Sequence, residues 1–292
     1  MIVLTSSMFL PHKHELGYTE AFPKPTAVEL AEFYSWRYFQ EDFGDYAQIY
    51  GADELLNFTL NADVARRITE RMSSDKFLVD LGSGEGYFAA AFHSAGWKVR
   101  CFDLSSFGIE RHNPHLLEHY RQFDITKIQQ SELEGTPGLI NLANVLEHVI
   151  DPIALLIQLR NMIAGSSTIL RIVAPNDYSD FQIYLLKNKL TKNTWFVPPE
   201  HLSYFNSQSL KNLLNQCDLK ILSFQADFPI EVFLANPNSN YVEQPKLGKD
   251  AHNARIAIQN FLIQTDLDSY IDYSESAGKL GFGRDLIVYA SA

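Results

Sequence analysis

The chain has 292 residues, 46% of them hydrophobic and 20% charged, which gives it room for a packed core and excludes an extended disordered chain. Its formal charge of −11, with no basic stripe, argues against nucleic acid as a partner. The two cysteines, Cys101 and Cys217, lie far apart and outside metal-ligand spacing, as in a reduced, cytoplasmic protein. The mildly apolar start, Met1 to Leu10, is too short and lacks the basic flank of a signal peptide. No later run is apolar for long enough to span a membrane.

In chain order, residues 27–72 read as helical and carry many aromatics: Phe33, Tyr34, Trp36, Tyr38, Phe39, Phe43, Tyr46 and Tyr50. At helical spacing these are expected mainly as core, with one or two reaching a ligand. His12 and His14, nearer the terminus, show no partner pattern. Short β-like runs then alternate with helical ones, the pattern of βαβ units and a parallel sheet. Strands are expected at Phe77–Leu81, Lys98–Phe102, Tyr120–Phe123, Leu139–Val145, Thr168–Val173, Lys220–Phe224 and Asp285–Tyr289. One helix starts near Gly86 and stops at Gly96. Another opens at Asp151-Pro152 and closes at Gly165, and Ser207 is expected to cap a third. The stretches Asn176–Asn206 and Gln225–Arg284 exceed ordinary connections and are natural places for a substrate site. The organisation is a helical segment at 1–74, a ligand-binding core at 75–225, and an insertion with a final strand at 226–292 that completes the same domain.

The main chemical signal is Asp80-Leu-Gly82-Ser83-Gly84-Glu-Gly86, between the first strand and a helix. A glycine turn there lets a ligand approach the backbone. Two details turn the reading away from a dinucleotide. The third small residue of G-x-G-x-x-G/A is replaced by Tyr87. Asp80 and Glu85 would also repel a pyrophosphate, whereas they attract a ligand carrying an ammonium and a sulfonium, which is the charge pattern of S-adenosylmethionine. Asp103, 21 residues after Gly82, is placed to accept bonds from ribose hydroxyls, with Leu104 beside it. Asp124 and Ile125, after the third strand, suit the adenine edge and face.

With these residues the chain resembles the class I S-adenosylmethionine-dependent methyltransferases. Asp80 to Gly86 looks like their first motif and Phe102-Asp103-Leu104-Ser105 like their second. Asn144-Val-Leu-Glu-His-Val-Ile-Asp-Pro152 resembles the motif after the fourth strand in the branch that includes ubiquinone-biosynthesis methyltransferases. The resemblance covers about residues 75–225. It implies an α/β, Rossmann-like fold: a mostly parallel seven-stranded sheet with helices on both faces, plus the N-terminal helices and two insertions. It implies cofactor contacts at Asp80, Gly82, Gly84, Asp103, Asp124 and Asn144, to which Ser83, Gly86, Leu104 and Ile125 are added by position. The sequence Gly281-Phe-Gly-Arg-Asp-Leu286 is similar to the end of bacterial members associated with glycan or secondary-metabolite pathways.

Methyl transfer needs an aligned nucleophile, exclusion of water and at times a base. Glu147 and His148 directly follow the fourth strand. His201 lies in the first insertion, among aromatics and two prolines. It is a candidate general base or orienting group, because imidazole is the natural acceptor near neutral pH; the bland alternative is a histidine that ties the insertion to the sheet. Some small-RNA 2′-O-methyltransferases carry Glu-x-x-Glu-His and a distant His as ligands of a divalent ion. Glu147, His148 and His201 match three of those ligands, but Asn144 replaces the first Glu, and loss of that charge weakens hold on a hard cation, so no metal is assigned. Lys249, His252 and Arg255 recur at spacing three, as a grip for an anionic substrate or, more commonly, a solvated face.

The sequence therefore points to a methyltransferase with a small-molecule acceptor, a hydroxyl on a sugar or other metabolite, and an undetermined oligomeric state. The alternatives are a nicotinamide oxidoreductase on a related fold and a non-catalytic cofactor-binding protein.

Overall fold

The computed structural model describes residues 4–38 and 49–292, with side chains from 4–34 and 49–292. The side chains of Trp36, Tyr38, Phe39, Phe43 and Tyr46 lie outside the described residues.

The chain opens on a hairpin, β1 (Leu10–Lys13) and β2 (Thr19–Phe22), followed by α1 (Ala27–Tyr38) and α2 (Ala52–Glu70). The alternating core then runs β3 (Phe77–Leu81), α3 (Tyr87–Ser94), β4 (Lys98–Asp103), α4 (Phe107–His112), β5 (Tyr120–Gln122), β6 (Leu139–Ala143), α5 (Pro152–Ile163) and β7 (Ile169–Pro175). The first insertion holds α6 (Asp180–Lys187) and the short β8 (Ser203–Tyr204). Next come α7 (Ser207–Gln216) and β9 (Lys220–Ala226), then the second insertion with α8 (Gly248–Thr265) and α9 (Leu267–Leu280), and finally β10 (Asp285–Ser291).

Seven strands form one sheet in the order β5-β4-β3-β6-β7-β10-β9. The strands from β5 to β7 run parallel, and β10 is antiparallel to both of its neighbours. This is the mostly parallel seven-stranded sheet that the sequence implies. Every residue of β3 and β7 is buried, because helices cover both faces. One face packs Leu155, Leu156 and Leu159 of α5 with Leu210, Leu213 and Leu214 of α7. The other packs Ala62 and Ile68 of α2, Phe92 of α3, Ile263 of α8 and Ile271 of α9.

Helix ends follow local chemistry. The Asp151 side chain accepts from the Ala154 N–H at 2.9 Å, Pro152 fills the first turn, and Gly165, at φ 75°, lies beyond the end. In α7 the cap is Asn206, not the expected Ser207: Asn206 Oδ1 accepts from the Ser209 N–H at 2.9 Å, and Ser209 Oγ accepts from the Asn206 N–H at 2.9 Å. Burying Leu210, Leu213 and Leu214 contributes about 1.5–3 kcal/mol each.

Two parts depart from the expectation. The hairpin near the start pairs through β2 with β8, so the N-terminus and the first insertion share a three-stranded sheet. The second insertion folds as two helices against the sheet. His12 and His14 also have partners: His12 Nδ1 lies 3.0 Å from Glu20 Oε1, and His14 stacks on Tyr18 at 4.3 Å. Among the described residues no helix is long and apolar enough to cross a membrane.

Candidate functional site

Two polar clusters sit at the carboxyl ends of the parallel strands. The first surrounds the turn after β3. Gly82 has φ 77°, and a Cβ there would overlap Cγ2 of Val145, so the turn and the segment after β6 touch backbone to side chain. The Gly84 N–H donates to Asp103 Oδ2 at 2.8 Å, and the Ser105 N–H donates to Oδ1 at 3.2 Å. Asp103 therefore braces the turn from β4.

Beneath the turn, Asp80, Asn141 and Arg171 stand in register on β3, β6 and β7. Asn141 Nδ2 donates to Asp80 Oδ1 at 2.7 Å, and Arg171 Nη1 donates to Asn141 Oδ1 at 2.6 Å. The guanidinium also lies over the Phe88 ring, 4.8 Å from its centre. Burial pushes the Asp80 carboxyl up to about 6, against the Asn141 bond and the Arg171 charge. Burial also raises Glu85, which accepts from Tyr50 Oη at 3.0 Å and lies 3.4 Å from His112 Nε2.

A cavity of about 290 Å³ opens beside this turn, lined by Asp80, Gly82, Glu85, Asn144, Arg171 and Arg255 among others. Asn144 is exposed and held at φ 54°, a left-handed conformation that asparagine tolerates better than most residues. Where β10 begins, the Asp285 N–H donates to Asp227 Oδ1 at 2.7 Å. Burial and the Asp285 charge push Asp227 up to about 7, with Arg255 opposing.

The second cluster lies three residues beyond Asn144. The Glu147 carbonyl accepts from the Leu202 and Ser203 N–H groups at 2.7 and 3.1 Å, which docks the first insertion onto the segment after β6. The Glu147 carboxyl is buried, and its Oε2 accepts no hydrogen bond from the described residues. Burial, with the negative charges of Asp285 and Asp177, pushes it up to about 8. His148 Nδ1 is 2.6 Å from the Glu200 carbonyl, which only accepts, so Nδ1 carries the proton. In the neutral ring His148 Nε2 is then the acceptor, 3.8 Å from Glu147 Oε1. The His201 ring crosses that of His148 at 89°, with centres 4.8 Å apart. His201 Nδ1 is 3.9 Å from Asp177 Oδ2, and Arg284 Nη1 donates to Asp177 Oδ1 at 2.7 Å. Glu147, His148 and His201 each offer one ligand atom, all within 4.8 Å of one another, so among the described residues these three could hold a metal ion.

The family model described as "Methyltransferase domain" matches residues 56–223, more than half of the chain. The chain belongs to this methyltransferase family. It is a methyltransferase. No curated protein sequence matches it significantly. Among solved structures, it is similar to an S-adenosylmethionine-dependent methyltransferase from Archaeoglobus fulgidus, at 19% identity, covering 87% of this chain and 98% of the other with TM-score 0.47. It is also similar to magnesium protoporphyrin IX methyltransferase from Synechocystis with bound S-adenosylhomocysteine, at 14% identity, 61% and 81% coverage and TM-score 0.43. A third, an S-adenosylmethionine-dependent methyltransferase from Clostridium acetobutylicum, has 13% identity, 68% and 90% coverage and TM-score 0.43.

In this methyltransferase, Asp80, Gly82, Ser83, Gly86 and Asn144 line the cavity, whereas Gly84 of the turn does not, and neither do Asp103, Leu104, Asp124 and Ile125. Those four lie at the ends of β4 and β5, on the other side of the turn. Leu104 is exposed and Ile125 is packed in the core. Asp124 caps the short helix Ile125–Lys127; burial opposes it, yet bonds from Lys127 and Thr126 hold its carboxyl below the usual range. The expected cationic stripe splits: Lys249 is exposed, His252 Nε2 is 3.1 Å from Glu54 Oε1, and Arg255 faces the cavity. The N-terminal aromatics reach the site through hydroxyls: Tyr50 at Glu85, and Tyr34 with its Oη 3.0 Å from His148 Nδ1. Sequence reasoning missed Asn141, Arg171, Asp177 and Arg284. For the first two a signal existed, a single polar residue inside an otherwise apolar strand.

Proposed function

We propose that this methyltransferase transfers a methyl group to a hydroxyl of a small molecule, a sugar or related metabolite, held at Glu147, His148 and His201. The observation that carries this reading is the second cluster. In it a buried carboxyl and two imidazoles come together after β6, three residues beyond Asn144, which lines the cavity beside the glycine turn. The donor is held by Asp80, Gly82, Ser83, Gly84, Gly86 and Asn144, with Asp103, Leu104, Asp124 and Ile125 on the nucleoside side. The sequence from Asn144 to Pro152 supports a place near the ubiquinone-type branch. The test is a screen of hydroxylated and aminated metabolites scored by S-adenosylhomocysteine release. Release with hydroxyl acceptors supports the reading, and release with amines alone ends it.

Asp80 makes the donor side testable by pH. A carboxyl raised to about 6 is neutral below that pH and charged above it, and only the charged form attracts the donor's cationic groups. S-adenosylmethionine should therefore bind about tenfold more weakly at pH 5 than at pH 7.5. Asp80→Asn should bind weakly at both. Calorimetry that found a pH-independent constant for the unsubstituted protein would remove Asp80 from this role.

One observation favours a second version of the acceptor site, with a divalent ion. The three ligand atoms are close, and His148 donates its other ring nitrogen to a backbone carbonyl, an arrangement common for metal-bound histidine. On this version, dialysis against a strong chelator lowers turnover by about tenfold or more, and zinc or manganese restores it. Full activity after chelation leaves the imidazoles acting alone.

A further inference from the structure

The cavity beside the glycine turn is lined by Asp80 and Glu85 from the turn after β3, and by Asp227, Arg255, Gln259 and Asp285 from the second insertion and the start of β10. Among the described residues lining it, two are cations, Arg171 and Arg255. Arg171 is already engaged, by Asn141, by the hydroxyl of Tyr289 and by the face of Phe88.

Arg255 is different. It projects from α8 with its side chain 18% exposed, and its nearest acid, Asp227, is 3.7 Å away. That exceeds the 2.7–2.9 Å of a charge-assisted hydrogen bond. Its Nε makes no hydrogen bond, as is also true of Arg171 Nε, so the difference between the two lies in the loose Asp227 contact. A mostly buried guanidinium with five N–H donors and one loose contact is short of acceptors. One turn along α8, Gln259 holds the same wall by donating to Asn61 Oδ1 at 2.9 Å, which ties α8 to α2.

The donor's own charges complete the argument. Its amino-acid tail is a zwitterion, an ammonium and a carboxylate on one carbon. Asp80 and Glu85 suit the ammonium and repel the carboxylate. The residues assigned to the nucleoside lie beyond the turn, at the ends of β4 and β5, and do not line the cavity. A donor laid across the turn with its nucleoside on that side sends its tail into the cavity, toward α8. We propose that Arg255 binds the carboxylate of the donor's amino-acid tail, so that the second insertion, outside the family match, supplies part of the donor site. This rests on the reading that the donor lies across the glycine turn.

A ligand-truncation cycle on the full chain tests it. Calorimetry would compare S-adenosylhomocysteine with 5′-methylthioadenosine, which keeps the nucleoside and sulfur but lacks the tail. Arg255→Gln is expected to weaken S-adenosylhomocysteine about 10–100-fold, the range for a bond to a charged group, and to leave methylthioadenosine within about twofold. Arg255→Lys should recover part of the loss. Equal weakening of both ligands would mark Arg255 as structural and overturn the proposal, as would no change in either. Loss of the preference in Arg171→Met but not in Arg255→Gln would overturn it in favour of Arg171. If the unsubstituted protein bound neither ligand, the donor placement itself would fail, an outcome distinct from the others.

Discussion

Gly82→Ala should yield a protein that no longer binds S-adenosylmethionine measurably, with Kd raised more than about 100-fold. Two costs arise at once. A residue with a Cβ at φ 77° is strained by roughly 1–2 kcal/mol, and the new methyl overlaps Cγ2 of Val145, an overpacking cost of about 1–3 kcal/mol. The second cost is the more damaging for function. Val145 follows Asn144 and precedes Glu147 and His148, so whatever moves to admit the methyl shifts both clusters. A displacement of about 1 Å in such a site costs on the order of 100-fold. The strain and the clash can be separated, because Val145→Ala removes the clashing methyl. The double variant should regain part of the stability lost by Gly82→Ala while remaining a weak donor binder, and the pair should be strongly non-additive in a thermal melt. Gly82→Ala that bound the donor within threefold of the unsubstituted protein would show that the turn does not approach it closely.

The sheet was legible because its strands are short apolar runs between breakers, and burial on both faces demands that composition. All seven strands stand within two residues of their expected ends. The donor turn was legible for a related reason: glycines at Gly82, Gly84 and Gly86 between a strand and a helix satisfy a backbone demand that other residues meet poorly. What the sequence left hidden is contact across long separations. His148 and His201 are 53 residues apart in the chain, and nothing local announces that the Glu147 carbonyl draws the two segments together through Leu202 and Ser203. Arg255 has no meaning as part of a helical stripe; its role appears only when α8 folds beside α2 and the turn. The hairpin was missed because β2 finds a partner in the distant β8. Its pairing is set by tertiary structure, which period and propensity do not report.

His201→Asn is expected to lower turnover by about 10²–10⁴-fold while leaving the donor Kd within about twofold. In the transfer, the acceptor oxygen attacks the methyl carbon, the carbon–sulfur bond breaks, and its electron pair stays on sulfur. The leaving group needs no help, so the protein's work is alignment and removal of the hydroxyl proton. His201 is suited to that by what surrounds it. Asp177, fixed by Arg284 at 2.7 Å, faces His201 Nδ1 at 3.9 Å, and a carboxylate there favours an imidazole that gains a proton. Asparagine keeps a polar side chain of similar reach but accepts no proton at neutral pH. Asp177→Asn should therefore cost less, about tenfold, because the base remains and only its orientation and charge support are lost. Single-turnover rates with saturating donor separate the chemical step from donor affinity. If His201→Asn retained its rate within threefold while Glu200→Ala, which leaves the backbone carbonyl in place, behaved identically, His201 would be a tether for the insertion. In that case the proton would leave through His148, whose Nε2 is the acceptor in the neutral ring.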